Sequence, residues 1–313
     1  MAEDKKIHDL VIVGAGPAAL AAAIYTTRED LGTVLYEKGV PGGLAAITDW
    51  VDNYPGFSKG ISGLDLAEEL RKQAERFGAD IQLGEVLSIK DAGDHRVLET
   101  TDGPVQAKAV LIATGTDYKK IGVPGEAEYF ARGVHYCATC DGAFYRDKKL
   151  VVVGGGNSAV QEALFLTRFA SHIDLLVRST LKASDVLLQE LKKNDKITVH
   201  EGTTTDEIVA KDKVVVSVKG TKNGKKVSFN IDGVFVFVGL KPNTVFLKES
   251  DVKLDEIGFV IAEQGLKTSM NGVFAAGDVR SGATMQIASA VGEGATAALR
   301  IREFLESTHN ETA

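Results

Sequence analysis

Cys137 and Cys140 are the only cysteines in this 313-residue chain, and Asp141 follows them directly in the stretch HYCATCDGAF at 135–144. Three chemistries use such a pair: half of a zinc site, a structural cross-link, or a dithiol that cycles through a disulfide. Structural zinc takes four ligands, yet there is no second CxxC, and of six histidines only His135 lies near in sequence. A cross-link here would close so short a loop that it would remove little unfolded-state entropy. A redox dithiol fits these residues better. The thiolate is the reactive form, and backbone amides at a helix start favour it. Asp141 is placed to move a proton to or from such a thiol, to cap a helix, or both.

A dithiol needs a source of electrons. Two stretches offset by 140 positions read almost alike, VIVGAGPAALAAAIYTTR at 11–28 and VVVGGGNSAVQEALFLTR at 151–168. Each is a β-branched run, a Gly-x-Gly turn and a helix, the signature of a dinucleotide-binding unit. Gly14 and Gly154 make the tight turn. Gly16 and Gly156 let a pyrophosphate approach the backbone, and Ala19 and Ala159 let the helix lie close to the strand. Glu37 ends the next apolar run of the first unit, where an acid accepts hydrogen bonds from ribose hydroxyls. The matching position of the second unit is Val177, with Arg178 beside it. An arginine attracts a 2′-phosphate that an acid would repel, which favours NADPH over NADH at the second site. The plainer alternative for Arg178 is a solvated charge at a strand end. Two nucleotide sites and a dithiol together suggest a path from a nicotinamide through a flavin to a disulfide.

The elements that must hold these residues follow from the pattern. Residues 41–57 are punctuated by Gly and Pro and read as loops. Residues 62–80 have helical periodicity, with Ser62 as N-cap and Gly78 as stop. Short strands alternate with turns from 81 to 116. After the second unit come a helix at 184–194, the strands ITVHEG, KVVVSVKG and KVSFNID with GTKNGKK as a hairpin turn, and a buried strand in GVFVFVGLKPNT at 233–244. The tail, 272–305, reads as a strand, a Gly-Asp turn and a long Ala-rich helix. The fold class is α/β, with two Rossmann-like dinucleotide-binding domains, the second inserted in the first. The first domain covers 1–119 and 246–313; the second covers 120–245 and carries the CxxC. Two thin crossings, near 118–124 and 240–246, make a hinge. Apolar content of 44% and charged content of 25% are ordinary for a globular protein. A net charge of −7 without a long basic run argues against nucleic acid as partner. No apolar run reaches the length of a signal peptide or a membrane span, so a cytoplasmic location is expected.

The strings GAGPAALAAAIY, NYPGF, ATGTDYKKIGVPGE, YCATCDGAFY, VVGGGNSAVQEA, GLKPNT, VFAAGDVR and QIASAVGEGATAA make the chain resemble the low-molecular-weight thioredoxin reductases, FAD-dependent pyridine nucleotide-disulphide oxidoreductases, over nearly its whole length. The resemblance implies FAD on Gly14, Gly16, Pro17, Ala18, Glu37, Gly43, Asn53, Ala113, Thr114, Gly115, Gly277, Asp278, Gln286 and Ile287. It implies NADPH, or NADH, on Gly154, Gly156, Asn157, Ser158, Ala159, Arg178 and Lys182. Cys137, Cys140 and Asp141 would be catalytic, with Cys140 nearer the flavin. A thioredoxin or thioredoxin-like acceptor, a homodimer and a rotating second domain are implied as well. The chain departs from the family where Ser179 replaces an arginine of the phosphate clamp and Lys182 stands in for another. Leu44 and Met285 stand where glutamine and a basic residue are usual. These departures keep open NADH or ferredoxin as donor, a peroxiredoxin-linked acceptor, or a flavin redox sensor. Arg178→Ala is expected to raise the Michaelis constant for NADPH more than that for NADH; equal increases would overturn the 2′-phosphate role.

Overall fold

Residue pattern and backbone agree along most of the chain. The computed structural model describes residues 7–48 and 50–311; the N-terminal residues on which the expectation about a signal peptide bears lie partly outside them. By internal contacts the chain forms two units, one up to Asp117 and again from Lys241, the other Tyr118–Leu240.

The first unit begins with β1 (Ile7–Val13), α1 (Pro17–Arg28) and β2 (Thr33–Glu37). β1 is buried along its C-terminal half, as expected of a strand covered on both faces. α1 starts with Pro17 in the first turn and is nearly all alanine and aliphatic, so it is buried almost all round. α2 (Gly43–Ala46) is a single helical turn inside the stretch expected to be loop. It forms because small residues there nest on α3 (Gly63–Arg76): a β-carbon on Gly42 would lie 2.5 Å from that of Ala67. Ser62 caps α3 by accepting from the Asp65 amide, as its sequence predicts. β3 (Asp80–Leu83), β4 (Val86–Asp91), β5 (Arg96–Thr100), β6 (Gly103–Ile112) and β7 (Thr116–Tyr118) complete this part.

The second unit holds β8 (Val134–His135), α4 (Ala138–Asp141), β9 (Lys149–Val153), α5 (Asn157–Leu166), β10 (His172–Val177), α6 (Asp185–Lys193) and β11 (Ile197–Glu201). A meander of β12 (Thr203–Lys211), β13 (Val214–Lys222) and β14 (Lys225–Asn230) follows, then β15 (Gly233–Val236). Its parallel sheet runs β11-β10-β9-β15-β8. Two details differ from the sequence expectation. β12 was not foreseen: its Thr-rich, mostly half-buried pattern becomes a strand by pairing with β13, with two irregularities in register. The hairpin turn narrows to Asn223 and Gly224, both at positive φ, as two-residue turns require.

The chain returns through β16 (Leu240–Pro242), which pairs with β7, and ends in β17 (Val273–Ala275) and α7 (Ile287–Glu311). In the first unit the sheet runs β3-β2-β1-β6. β6 then serves two partners: residues 103–107 pair antiparallel with β5, and 110–112 pair parallel with β17. One core joins α1, α3 and α7 to the sheet, and a second core lies on other residues of the same strands. α1 and α7 cross so closely that a β-carbon on Gly294 would lie 2.1 Å from the Ala18 carbonyl oxygen. Gly294→Ala gains about 1 kcal/mol of helix propensity. The clash outweighs it, because overpacking against backbone costs about 1–3 kcal/mol. Gly294→Ala is therefore expected to lower stability in chemical denaturation; an unchanged or higher midpoint would contradict the close crossing.

Candidate active site

The first glycine turn follows β1. Gly14 has φ +102°, and a β-carbon on it would lie 2.6 Å from the Ala113 carbonyl oxygen at the end of β6. Only glycine fits there. Gly16 is the N-cap of α1; nothing lies within 4 Å of where its β-carbon would stand, and no side chain caps the helix. The first amides of a twelve-residue helix are thus left without a side-chain acceptor beside open space, which suits a pyrophosphate. Glu37 stands at the end of β2 and holds the turn: its two oxygens accept from the amides of Ala15 and Gly39, each at 2.8 Å. A cavity of about 350 Å³ opens here, lined by Gly14, Tyr36, Glu37, Glu85, Thr114 and Asn243 among others. A carboxylate beside a cavity at a strand end is the kind of acceptor that ribose hydroxyls need.

Other residues assigned to the first site meet the same turn. Gly43 backs onto Gly16, its would-be β-carbon 3.5 Å from the Gly16 α-carbon, and Gly277 comes closer still to Ala18, at 3.0 Å. Thr114 and Asn243 exchange two hydrogen bonds, and the Gly115 carbonyl accepts from the Asn243 amide. Asn53 donates to Gln286 at 3.2 Å, just before Ile287 opens α7. Asp278 sits beside Gly277, whose amide donates to Glu293. Burial, and then the charge of Glu293, push the Asp278 carboxyl up to about 6. The sequence reading missed Asn243 and Glu293. Both lie outside the glycine turns, and no local spacing marks them.

The second turn repeats the geometry. Gly154 has φ +148°, and a β-carbon on it would meet the Phe237 carbonyl oxygen at 2.3 Å and the Ala159 methyl at 2.7 Å. Gly156 is again an N-cap with open space and no side-chain cap. Asn157 and Ser158 are exposed at the helix start. Val177 is buried at the end of β10, and Arg178 and Lys182 are exposed in the following loop. The backbone of that loop is latched onto the turn: the Lys182 amide donates to the Gly155 carbonyl at 2.7 Å, and the Ser184 amide donates to the Asn157 side chain at 2.8 Å. Glu201, at the end of β11, accepts from the Leu181 amide at 2.7 Å. An acid thus stands on the strand next to β10, paired with Val177, which the sequence comparison of the two units could not reveal.

Cys137 and Cys140 form a disulfide with α-carbons 5.3 Å apart, and both side chains are half-buried. Cys137 is the N-cap of α4, and the Cys140 amide donates to its sulfur at 3.1 Å. That amide would favour a thiolate on Cys137 after reduction. Gly142 seats the turn on α5, since a β-carbon there would come within 2.8 Å of Leu166. One expectation is corrected. The Asp141 side chain caps no helix: it ends α4, and its carboxylate lies instead 3.0 Å from Nδ1 of His135. The buried imidazole offers a partner in β8, which a helix N-terminus would have had to outcompete.

Comparison with known proteins bears on both turns and the disulfide. A sequence profile of the pyridine nucleotide-disulphide oxidoreductases matches residues 8–294. The chain is 40% identical over 309 residues to a thioredoxin reductase of Listeria innocua, covering 98% of this chain and 96% of the relative. It is 40% identical over 306 residues to one of Bacillus subtilis, covering 97% and 96%. The crystal structure of a thioredoxin reductase from Streptococcus pyogenes superposes with a TM-score of 0.92 at 40% identity, covering 96% of this chain and 99% of that one.

The raised Asp278 carboxyl has a consequence for stability. Its folded value lies above the ordinary 3.8, so the folded chain binds the proton more tightly than the unfolded chain. Stability from this group is complete below 3.8 and is lost as pH rises through about 6. In the flavin-free protein, Asp278→Asn is expected to flatten the fall in thermal midpoint between those limits; an unaltered slope would show that Asp278 is not strained by burial.

Proposed function

This chain belongs to the pyridine nucleotide-disulphide oxidoreductase family, and from that premise we propose that it is a thioredoxin reductase using NADPH, FAD and the Cys137/Cys140 dithiol. The observation that carries the reading is the Cys137–Cys140 disulfide in a chain 40% identical, almost end to end, to thioredoxin reductases. The first unit would be the FAD-binding domain and the second the NAD(P)H-binding domain. A homodimer and a thioredoxin-like acceptor belong to the same reading.

Bound flavin supplies the conversion of a nicotinamide's hydride into an electron pair that a disulfide can take. The residues of the chain divide the remaining work. The amides at the start of α1 and the open face of Gly16 would hold the pyrophosphate of FAD, with Glu37 accepting from its ribose. Asp278, Gln286 and Asn53 would orient the flavin. The start of α5, with Gly154, Gly156, Asn157, Ser158 and Ala159, would hold the nicotinamide nucleotide, and Arg178 and Lys182 its 2′-phosphate. Once reduced, one cysteine attacks the acceptor disulfide as thiolate and forms a mixed disulfide, releasing one acceptor thiolate. The second cysteine attacks the mixed disulfide, which re-forms Cys137–Cys140 and releases the second acceptor thiolate. The Cys140 amide steadies a thiolate on Cys137. Asp141 moves a proton at the cysteine sulfur, so that neither thiolate need persist.

NADH remains the second reading for the donor. The Glu201 carboxylate, fixed beside the loop that carries Arg178, favours it by opposing a 2′-phosphate. Anaerobic titration of the yellow protein with NADPH and NADH in turn distinguishes the two, and bleaching by neither would overturn both. Cys140→Ser is expected to abolish reduction of a thioredoxin disulfide while NADPH still bleaches the flavin; retained turnover would overturn the dithiol mechanism.

A further inference from the structure

We propose that His135 is the positioning residue for Asp141, set in place by Tyr145, so that one carboxylate oxygen is held and the other is left for proton traffic with the dithiol. The inference rests on the proton role of Asp141 proposed above. His135 is 6% exposed, in the short strand β8, with its ring stacked on Phe235 of β15. Its Nε2 lies 2.7 Å from the Tyr145 hydroxyl, and the two rings meet edge to face. Its Nδ1 lies 3.0 Å from Oδ2 of Asp141.

A buried imidazole between two half-buried partners leaves little freedom for protons. The Tyr145 phenol stays protonated at any working pH, because burial first, and then the charges of Asp141 and Asp232, push its pKa up. If the imidazole is neutral and Asp141 is ionised, the carboxylate draws the ring proton to Nδ1, which leaves Nε2 to accept from the phenol. If the imidazole is charged, both nitrogens carry protons. In either state Nδ1 presents a proton toward Oδ2, and the ring cannot turn away without losing Tyr145 and the Phe235 face. Asp141 is thereby fixed through Oδ2. Asp232, at the turn before β15, acts on Tyr145 by its charge; it is occupied by the Lys149 amide and lies 3.8 Å from the Lys148 ammonium. From α5 the turn meets Leu166, and Phe169 just beyond it, which bring no charge.

A proton held against a carboxylate favours its charged form. Removing that proton withdraws this support for the carboxylate, so the limb of the pH profile that Asp141 governs is expected at higher pH in the variant. The test uses the full-length holoenzyme and the pH dependence of thioredoxin-disulfide reduction. Asp141→Asn first identifies the limb, by erasing it. His135→Phe, which keeps a ring on Phe235, is expected to shift that limb upward and to slow turnover about tenfold or more, within the range that placed acids and bases contribute. Flavin bleaching by NADPH should be unaffected. His135→Asn, which keeps an N–H near Oδ2, should return the limb toward its original place. A limb unmoved in His135→Phe, or displaced as far in His135→Asn as in His135→Phe, overturns the inference. Should His135→Phe not fold, Tyr145→Phe keeps the packing and frees the tautomer, and an unmoved limb there overturns it equally. If Asp141→Asn leaves the profile intact, the proton role of Asp141 itself has failed, which is a different result.

Discussion

Two carbonyl oxygens, of Ala113 and Phe237, press so closely on Gly14 and Gly154 that a β-carbon has no room at either. Everything else in the two units depends on that approach. It lets the chain leave a buried strand, reverse, and start a helix at the strand's edge. The helix therefore presents uncapped amides to open space instead of to neighbouring side chains. A bulkier residue would push the helix off the sheet and with it the site for a phosphate. The small residues that follow, Ala18 against Gly277 and Ala159 against Gly154, are consequences of the same constraint.

The two turns are alike in backbone and unlike in charge. Around Gly14 the acid comes from the adjoining strand end, and Glu37 holds the turn by two amides. Around Gly154 that strand end is buried valine, and the loop beyond it is held by its own backbone and by Glu201 from the next strand. The same fold thus sets a carboxylate beside the first turn, and two exposed cations with a carboxylate from the next strand around the second.

The dithiol is local in sequence, and its chemistry was readable there: two cysteines, two intervening residues and an acid. The three-residue spacing suits the N-cap position of Cys137 and the amide donated by Cys140. The surroundings of Asp141 do not. Its partner stands on a two-residue strand whose position is set by pairing Phe235 with His135, far apart in the chain. In the sequence His135 drew notice only as a zinc ligand that lacked companions. Likewise the residues of β12 are neither clearly apolar nor clearly alternating, and only pairing with β13 makes them a strand.

Read alone, the sequence determined the repeated strand–turn–helix unit, the inserted order of the parts, the capped helix at Ser62, and the presence of a redox pair. These are properties of neighbouring residues: backbone freedom at glycine, periodic burial, and the reach of side chains a few positions apart. Tertiary structure alone decided which groups the carboxylates face. Glu37 turned to its own glycine loop, Glu201 to the loop of another strand, Asp278 into a buried place beside Glu293, and Asp141 to His135. A carboxylate's partner depends on strand order and register across long stretches of chain, and on which competing donor is already satisfied. No spacing of residue types encodes those quantities.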